Sequence, residues 1–331
     1  MLARIYRRAA RTMRPLWLKN RLAGRFDEQS VLVLTSSPRS GSTLLGQVLA
    51  SIPGTCVLFE PLHLDRVPEA KAAGFSWRTY VEPDVSWPAG EEFLRRVFSG
   101  RVINKWTASE MTFREATRAN KMIVKFVRAN RLLPWMCQTF EMPAPILLIR
   151  HPCAVIASQL KYGWKNSKRS VAPPYVTECP LFKATLSKTG GDEENLAAYW
   201  ALDQLPALMQ SPPHPWTIVT YEELVLRPVP TLTRIVRRWN LEIDISAALS
   251  RLKIPSSMVS KSGISGVTGW KKDLSPFQIA RILRITQAMG LQFYTAEEEA
   301  DYSALYSQQL AEELRRAGTT EDGQNQVRRA A

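Results

Sequence analysis

The chain has 331 residues, of which 45% are apolar, and a formal net charge of +14. This length allows a large buried core, and the apolar content is ordinary for a globular domain. The four cysteines and three histidines show no spacing typical of a metal site, so we expect no metal. The positive charge predicts an anionic partner.

The first 26 residues contain eight basic side chains and no acidic one. Apolar residues in this segment are spaced three and four residues apart. This pattern is typical of a basic amphipathic helix on anionic lipid, and a solvated arm packed on the domain is the alternative. No apolar run there is long enough for a signal peptide or anchor. We expect an arm at 1–26, one domain at 27–309, a frayed tail at 310–331, and a cytoplasmic protein that contacts the membrane peripherally.

Apolar strands alternate with helical stretches along the chain. Strands are predicted near 31–35, 56–59, 121–126, 146–150 and 216–220, and helices near 43–51, 91–99, 130–141, 152–162, 193–210 and 230–239. Such alternation predicts an α/β fold, with one central parallel sheet flanked by helices on both faces. We therefore expect a single P-loop-like domain.

The first strand runs into a turn of small residues and then into an apolar helix. This turn holds the first anion-binding candidates, which are Pro38, Arg39, Ser40, Gly41, Ser42 and Thr43. Free N–H groups at a helix start favour a phosphate or sulfate, and glycine permits close approach. Ser42 stands where a nucleoside-triphosphate loop has its lysine, and Arg39 supplies a cation inside the loop instead. The pattern favours a phosphosulfate or diphosphate over Mg-ATP.

The second strand ends at Glu60, directly before Pro61. Strand ends of a doubly wound sheet face one crevice, so this carboxylate is a candidate general base beside the anion loop. The proline predicts extended backbone at Glu60. A solvated glutamate at a strand end is the alternative interpretation.

Two further strand ends carry candidate ligands. Arg150 ends an aliphatic strand, and Ser158 lies two helical turns further on, which suits a separate phosphate. Tyr221 ends the last strand and is a candidate for stacking on a base, although a buried core tyrosine is equally common.

In combination, these segments resemble the sulfotransferase family, which uses 3'-phosphoadenosine 5'-phosphosulfate (PAPS). Pro38–Leu45 is similar to the family's 5'-phosphosulfate loop, and Leu148–Ser158 to its 3'-phosphate segment. Leu58–Leu62 is similar to the carbohydrate 6-O-sulfotransferases that act on N-acetylglucosamine or galactose. Supporting matches are Lys125–Arg128, Tyr221–Leu224 and Gly263–Lys272.

The resemblance implies sulfuryl transfer from PAPS to a hydroxyl, with a carbohydrate as the expected acceptor. Glu60 would take the hydroxyl proton, and Arg39 with the loop N–H groups would stabilise the charge that builds on the leaving phosphate oxygens. Arg150 and Ser158 would hold the 3'-phosphate and Tyr221 the adenine, while Lys271 or Lys272 would close over the phosphates. Alternatives are a lipid, small-molecule or tyrosine hydroxyl as acceptor, or a phosphotransferase using the same loop.

The sequence departs from the family pattern at the 3'-phosphate segment, where His151 and Cys153 replace the usual Asp and Arg. One charge pair is therefore missing, which predicts weaker nucleotide binding.

Two long segments are candidate acceptor loops. They are 163–192, rich in basic residues, and 65–90, with Trp77, Tyr80 and Trp87 available to stack on sugars. A nucleic-acid partner is not expected.

Overall fold

A computed structural model describes residues 14–164, 180–252 and 264–307. Its strands are β1 (Val31–Ser36), β2 (Thr55–Phe59), β3 (Lys121–Phe126), β4 (Ile146–Ile149) and β5 (Thr217–Thr220). They form one sheet in the order β2-β3-β1-β4-β5, and every pairing is parallel. The predicted parallel sheet and its five strands are confirmed.

Helices lie between these strands and after β5. They are α1 (Ser42–Leu49), α2 (Pro68–Ala72), α3 (Pro88–Phe98), α4 (Phe113–Arg118), α5 (Leu133–Thr139), α6 (Pro152–Lys161), α7 (Pro180–Leu186), α8 (Asp192–Leu208), α9 (Tyr221–Leu226), α10 (Pro228–Arg238), α11 (Ile245–Leu252), α12 (Ile264–Thr268), α13 (Trp270–Asp273), α14 (Pro276–Ala288) and α15 (Tyr302–Leu305). The stretch predicted as one helix at 130–141 is a 3-10 turn followed by α5. Pro134 lies in the first turn of α5, where a proline is best tolerated because its missing N–H costs no intrahelical hydrogen bond.

Both faces of the sheet are buried. Along β1, Val31 and Val33 face one hydrophobic cluster while Leu32 and Leu34 face another. This alternation follows from the period of two along a strand, and it explains why the strands read as continuous apolar runs. Helices therefore cover both faces, as predicted. No helix in the described ranges is long and apolar enough to cross a membrane.

The described part of the basic N-terminal segment packs on the domain. Residues 14–22 are helical, and Leu18, Leu22 and Phe26 are buried in the same cluster as β1. Arg25 donates to the carbonyl of Ala116 over 2.9 Å. The expected boundary at residue 27 is therefore not a packing boundary, because the apolar side of this helix completes the core. The membrane prediction for residues 1–13 lies outside the described residues.

Candidate active site

A cavity of about 230 Å³ opens at the carboxyl edge of the sheet. All five strand ends contribute to it, with Glu60 after β2, Arg128 after β3, Arg39 after β1, Arg150 after β4 and Tyr221 after β5. Ligands of open α/β sheets bind at this edge, near the point where the strand order reverses. The topology thus brings together groups that are far apart in sequence.

The loop between β1 and α1 has an unusual backbone. Arg39 and Gly41 adopt φ values of 75° and 93°, in the left-handed region. A Cβ atom at Gly41 would lie 2.4 Å from the ring of Tyr221. Only glycine combines this backbone with such close packing. The first N–H groups of α1 have no intrahelical partner, and Gly41, Ser42 and Thr43 line the cavity.

Buried amides hold the outer side of this loop. Gln204 donates to the hydroxyl of Ser37 over 2.7 Å, and Gln159 donates to the carbonyl of Pro38 over 3.2 Å. Arg150 donates to the carbonyl of Arg39 over 2.9 Å. Because the Ser37 hydroxyl and the carbonyls of Pro38 and Arg39 are hydrogen-bonded within the protein, the loop conformation is stabilised without a ligand.

The two predicted anion segments are in direct contact. The Nε of Arg39 donates to the hydroxyl of Ser158 over 3.0 Å. The guanidinium of Arg150 lies 4.3 Å from the ring of Tyr221 and also donates to the carbonyl of Gly266 over 2.5 Å. Arg39, Ser158, Arg150 and Tyr221 therefore form one continuous wall.

Glu60 forms the opposite wall with two cations. Its Oε1 lies 3.0 Å from the Nζ of Lys125, and its Oε2 lies 3.8 Å from Arg128. Burial lowers the pKa of Lys125, while the neighbouring Glu60 raises it. The backbone of Glu60 has a φ of 41°, so the extended geometry expected from Pro61 is wrong. The Glu60 N–H donates to the carbonyl of Lys125 over 2.8 Å, which stabilises this conformation together with the ion pairs.

Several cavity residues were not among the predicted site residues. They are Lys125, Arg128, His63, Trp106 and Trp164. The ring of His63 lies 4.8 Å from that of Trp106 and 5.2 Å from that of Trp77, both edge-on. A lysine within the apolar strand β3 is the sequence signal that points to Lys125, because a lysine is rarely buried without a partner.

The residues that depart from the family pattern lie outside the cavity. His151 is buried, stacks on Trp270 at 4.4 Å and accepts a hydrogen bond from the N–H of Cys153 at the start of α6. Its Nε2 lies 2.9 Å from the carbonyl oxygen of Thr295. Burial lowers its pKa to about 4, so the ring is neutral. His151 thus replaces a charged residue with a neutral helix cap.

Some predicted site residues are not brought into the cavity. Lys271 pairs with Glu298 over 2.5 Å, and Lys272 is exposed. The proposed closure over the phosphates by these lysines stays a prediction. Trp77 lines a smaller neighbouring cavity, whereas Trp87 packs in the core against Phe75. Residues 165–179 of the second candidate loop lie outside the described residues.

The cavity suits a ligand with several negative charges. Its lining has four cationic side chains and one carboxylate, counted over the described residues. Two buried polar atoms beside it, the Nε of Arg150 and the Oγ of Ser40, have no hydrogen-bond partner among those residues. Buried polar groups are normally paired, so these orphan groups fit phosphate or sulfate oxygens. The fold and this lining define a binding site for a phosphorylated or sulfated ligand.

The family model described as "Sulfotransferase family" matches residues 32–244. The chain therefore belongs to the sulfotransferase family, and it is a sulfotransferase. The family implies PAPS as co-substrate. The narrower likeness to carbohydrate 6-O-sulfotransferases stays a prediction. A search of the curated proteins finds no match.

Solved structures with a similar chain path include other sulfotransferases. The sulfotransferase domain from the Synechococcus PCC 7002 olefin synthase is 18% identical, with a TM-score of 0.45, over 82% of this chain and 97% of that one. The sulfotransferase domain from the curacin biosynthetic pathway is 18% identical, with a TM-score of 0.44, over 78% and 96%. Mouse sulfotransferase SULT7A1 complexed with PAP is 15% identical, with a TM-score of 0.38, over 79% and 84%.

Proposed function

We propose that this sulfotransferase sulfates a hydroxyl on a carbohydrate or glycoconjugate, with Glu60 as general base. One observation carries the proposal. Glu60 is the only carboxylate that lines the main cavity within the described ranges, and residues of the anion loop line the same cavity. A base in this position lies where an acceptor hydroxyl must approach a nucleotide held by that loop.

The co-substrate would supply an activated sulfuryl group, and its leaving group would be the 5'-phosphate of adenosine 3',5'-bisphosphate. Arg39, Gly41, Ser42 and Thr43 would hold the 5' phosphosulfate, and Arg150 with Ser158 would hold the 3'-phosphate. The loop N–H groups and Arg39 stabilise negative charge that develops on the leaving oxygen. Glu60 accepts the proton from the acceptor hydroxyl, and Lys125 keeps the carboxylate oriented.

Aromatic side chains beside Glu60 support a carbohydrate acceptor. Trp106 lines the cavity, and Trp77 lies against the guanidinium of Arg128 at 4.4 Å. Flat indole rings offer the apolar surface on which sugar faces stack, while neighbouring polar groups bind hydroxyls. Lipid, small-molecule and tyrosine acceptors are the competing outcomes in an acceptor screen.

Nucleotide-dependent thermal stability tests the proposal. Adenosine 3',5'-bisphosphate should raise the melting temperature in EDTA, since a ligand at 100 times its Kd stabilises the folded state by about 2.7 kcal/mol. AMP and ATP should have little effect, because neither spans both anion segments. Arg150→Ala should lose most of the shift. A Mg-dependent shift with ATP, or none with the bisphosphate, would count against the proposal.

A further inference from the structure

A buried carboxyl group that the mechanism above does not use lies where the last two strands of the sheet end. Glu222 belongs to α9, directly after Tyr221, and its side chain is fully buried. Ile149 pairs with Thr220 in the sheet. Arg150 and Tyr221 therefore leave neighbouring strands at the same level, and Glu222 follows at once.

Both oxygens of the Glu222 carboxyl group have a partner. Oε1 accepts a hydrogen bond from the backbone N–H of His151 over 3.0 Å, and Oε2 accepts one from the hydroxyl of Tyr294 over 2.8 Å. Tyr294 is buried as well. Burial raises the pKa of Glu222, whereas these hydrogen bonds and the charge of Arg150 lower it. The two contacts tie α9 to the residue that follows Arg150.

The hydrogen bond to His151 acts on Arg150 through the backbone. The N–H of His151 belongs to the planar peptide unit that also contains the Cα of Arg150, so a fixed N–H fixes the origin of the arginine side chain. This side chain reaches the ring of Tyr221 at 4.3 Å, and its Nε has no hydrogen-bond partner among the described residues. A guanidinium that must meet an incoming phosphate depends on such support, because binding groups are held in place by hydrogen bonds behind them.

We propose that Glu222 is a positioning residue for the 3'-phosphate and sets the preference of the enzyme for a 3'-phosphorylated nucleotide. This inference rests on the function proposed above, in which Arg150 binds that phosphate. Glu222 does not line the main cavity, so it acts through the peptide between Arg150 and His151 and through its chain neighbour Tyr221.

The experiment compares two nucleotides that differ only in the 3'-phosphate. Adenosine 3',5'-bisphosphate carries this group, and AMP lacks it. The full-length protein is titrated with the bisphosphate in a calorimeter, alone and in the presence of AMP, which gives both dissociation constants. The ratio of the two constants measures the contribution of the 3'-phosphate to binding.

Two substitutions loosen the contact and keep the carboxyl group. Glu222→Asp shortens the side chain by one methylene, so the carboxyl group cannot reach both partners without a backbone shift. The Kd of the bisphosphate should rise on the order of 10-fold, with little change for AMP. Tyr294→Phe removes one of the two hydrogen bonds and should raise the Kd of the bisphosphate roughly 3-fold. The second variant carries the test if the first does not fold.

Glu194→Asp is the matched control. Glu194 is also buried and lies in α8, outside the main cavity. It pairs with Arg281 and Arg284 of α14, each over 2.8 Å. The control should lose stability in urea unfolding but keep both dissociation constants, so it shows what a purely structural role would do.

Three results would overturn the inference. They are an unchanged Kd of the bisphosphate in both variants, an equal loss of affinity for the two nucleotides, and the same loss of preference in Glu194→Asp. A wild-type protein that does not bind the bisphosphate would instead contradict the proposed function itself. The wild-type titration therefore separates the two failures.

Discussion

Lys125 and Glu60 lie 65 residues apart in sequence, yet the lysine Nζ is 3.0 Å from the glutamate Oε1. Lys125 is almost fully buried, so the carboxylate of Glu60 is the main counter-charge for a cation with little access to water. The proposed base therefore has a second role in stability. Substitution of Glu60 should therefore change both the turnover and the free energy of unfolding, and an experiment must separate these two effects.

Glu60→Gln keeps the shape and an acceptor oxygen but removes the proton acceptor. Turnover should fall on the order of 10²- to 10⁴-fold with little change in bisphosphate affinity. The variant should also lose about 1–3 kcal/mol of stability, because the buried Lys125 loses its carboxylate partner. Glu60→Gln/Lys125→Met should recover the stability in urea unfolding but not the turnover. An active Glu60→Gln enzyme would show that the carboxylate is structural.

Gly41→Ala should abolish nucleotide binding. The new Cβ would lie 2.4 Å from the ring of Tyr221, at a backbone φ of 93°. Gly163→Ala is a matched control, because Gly163 has a φ of 71° with no neighbouring atom within 4 Å. The control should lose about 1 kcal/mol of stability from backbone strain and keep its bisphosphate affinity. Calorimetric titration of both variants measures the difference, and equal affinities would contradict the packing argument.

Acid should destabilise the protein through His151. Its pKa is about 4 in the folded protein and near 6.5 in the unfolded chain, so the unfolded chain binds the proton first. The stability contribution is complete above pH 6.5 and is lost as the pH falls from 6.5 to 4, by about 3 kcal/mol in total. His151→Asn keeps a helix cap without a titrating ring, so its urea midpoints should depend less on pH in this window. Parallel pH profiles for both proteins would refute the assignment.

Leu18→Ala should destabilise the protein by about 2–5 kcal/mol, as for other fully buried leucines. The exposed Leu16 on the same helix provides the control, and Leu16→Ala should change stability by less than about 0.5 kcal/mol. Urea unfolding measures both values. Similar midpoints for the two variants would mean that this helix is not part of the core.

We expect removal of residues 2–13 to weaken sedimentation with anionic vesicles at low salt, while the fold and bisphosphate binding are kept. This segment has four arginines, and each basic residue near a charged surface contributes about 1 kcal/mol. Deletion of residues 2–13 leaves the core side chains Leu18 and Leu22 in place, whereas deletion to residue 26 would remove them. Equal sedimentation of the two proteins would remove the membrane hypothesis.

The sheet and the anion wall could be predicted because each depends on a local pattern. An aliphatic run followed by a turn and a helix start marks both the Arg39 loop and the Arg150 segment, and such signals lie within about ten residues of sequence. The parallel topology then brings the strand ends together without any further information.

The partners of Glu60 depend on the strand register, which no local pattern contains. Phe59 pairs with Lys125 between β2 and β3, and this alignment brings the lysine to the carboxylate that follows. The role of His151 as a neutral helix cap could not be predicted from the sequence either, because it depends on stacking against Trp270 from a distant helix. Pro61 gave a wrong local expectation, since ion pairs and the adjacent strand determined the backbone of Glu60.

The position of β1 in the sheet affects the order in which the protein is built. Of the described strands it is the first to leave the ribosome, yet it occupies the centre of the sheet, and its partner residues in β3 follow about 90 positions later. Its two edges remain unpaired until β3 and β4 have been synthesised. Pairing at such long sequence separation slows folding and leaves an apolar strand open to aggregation in the meantime. The nascent chain should therefore depend on chaperone protection until about residue 149 has emerged.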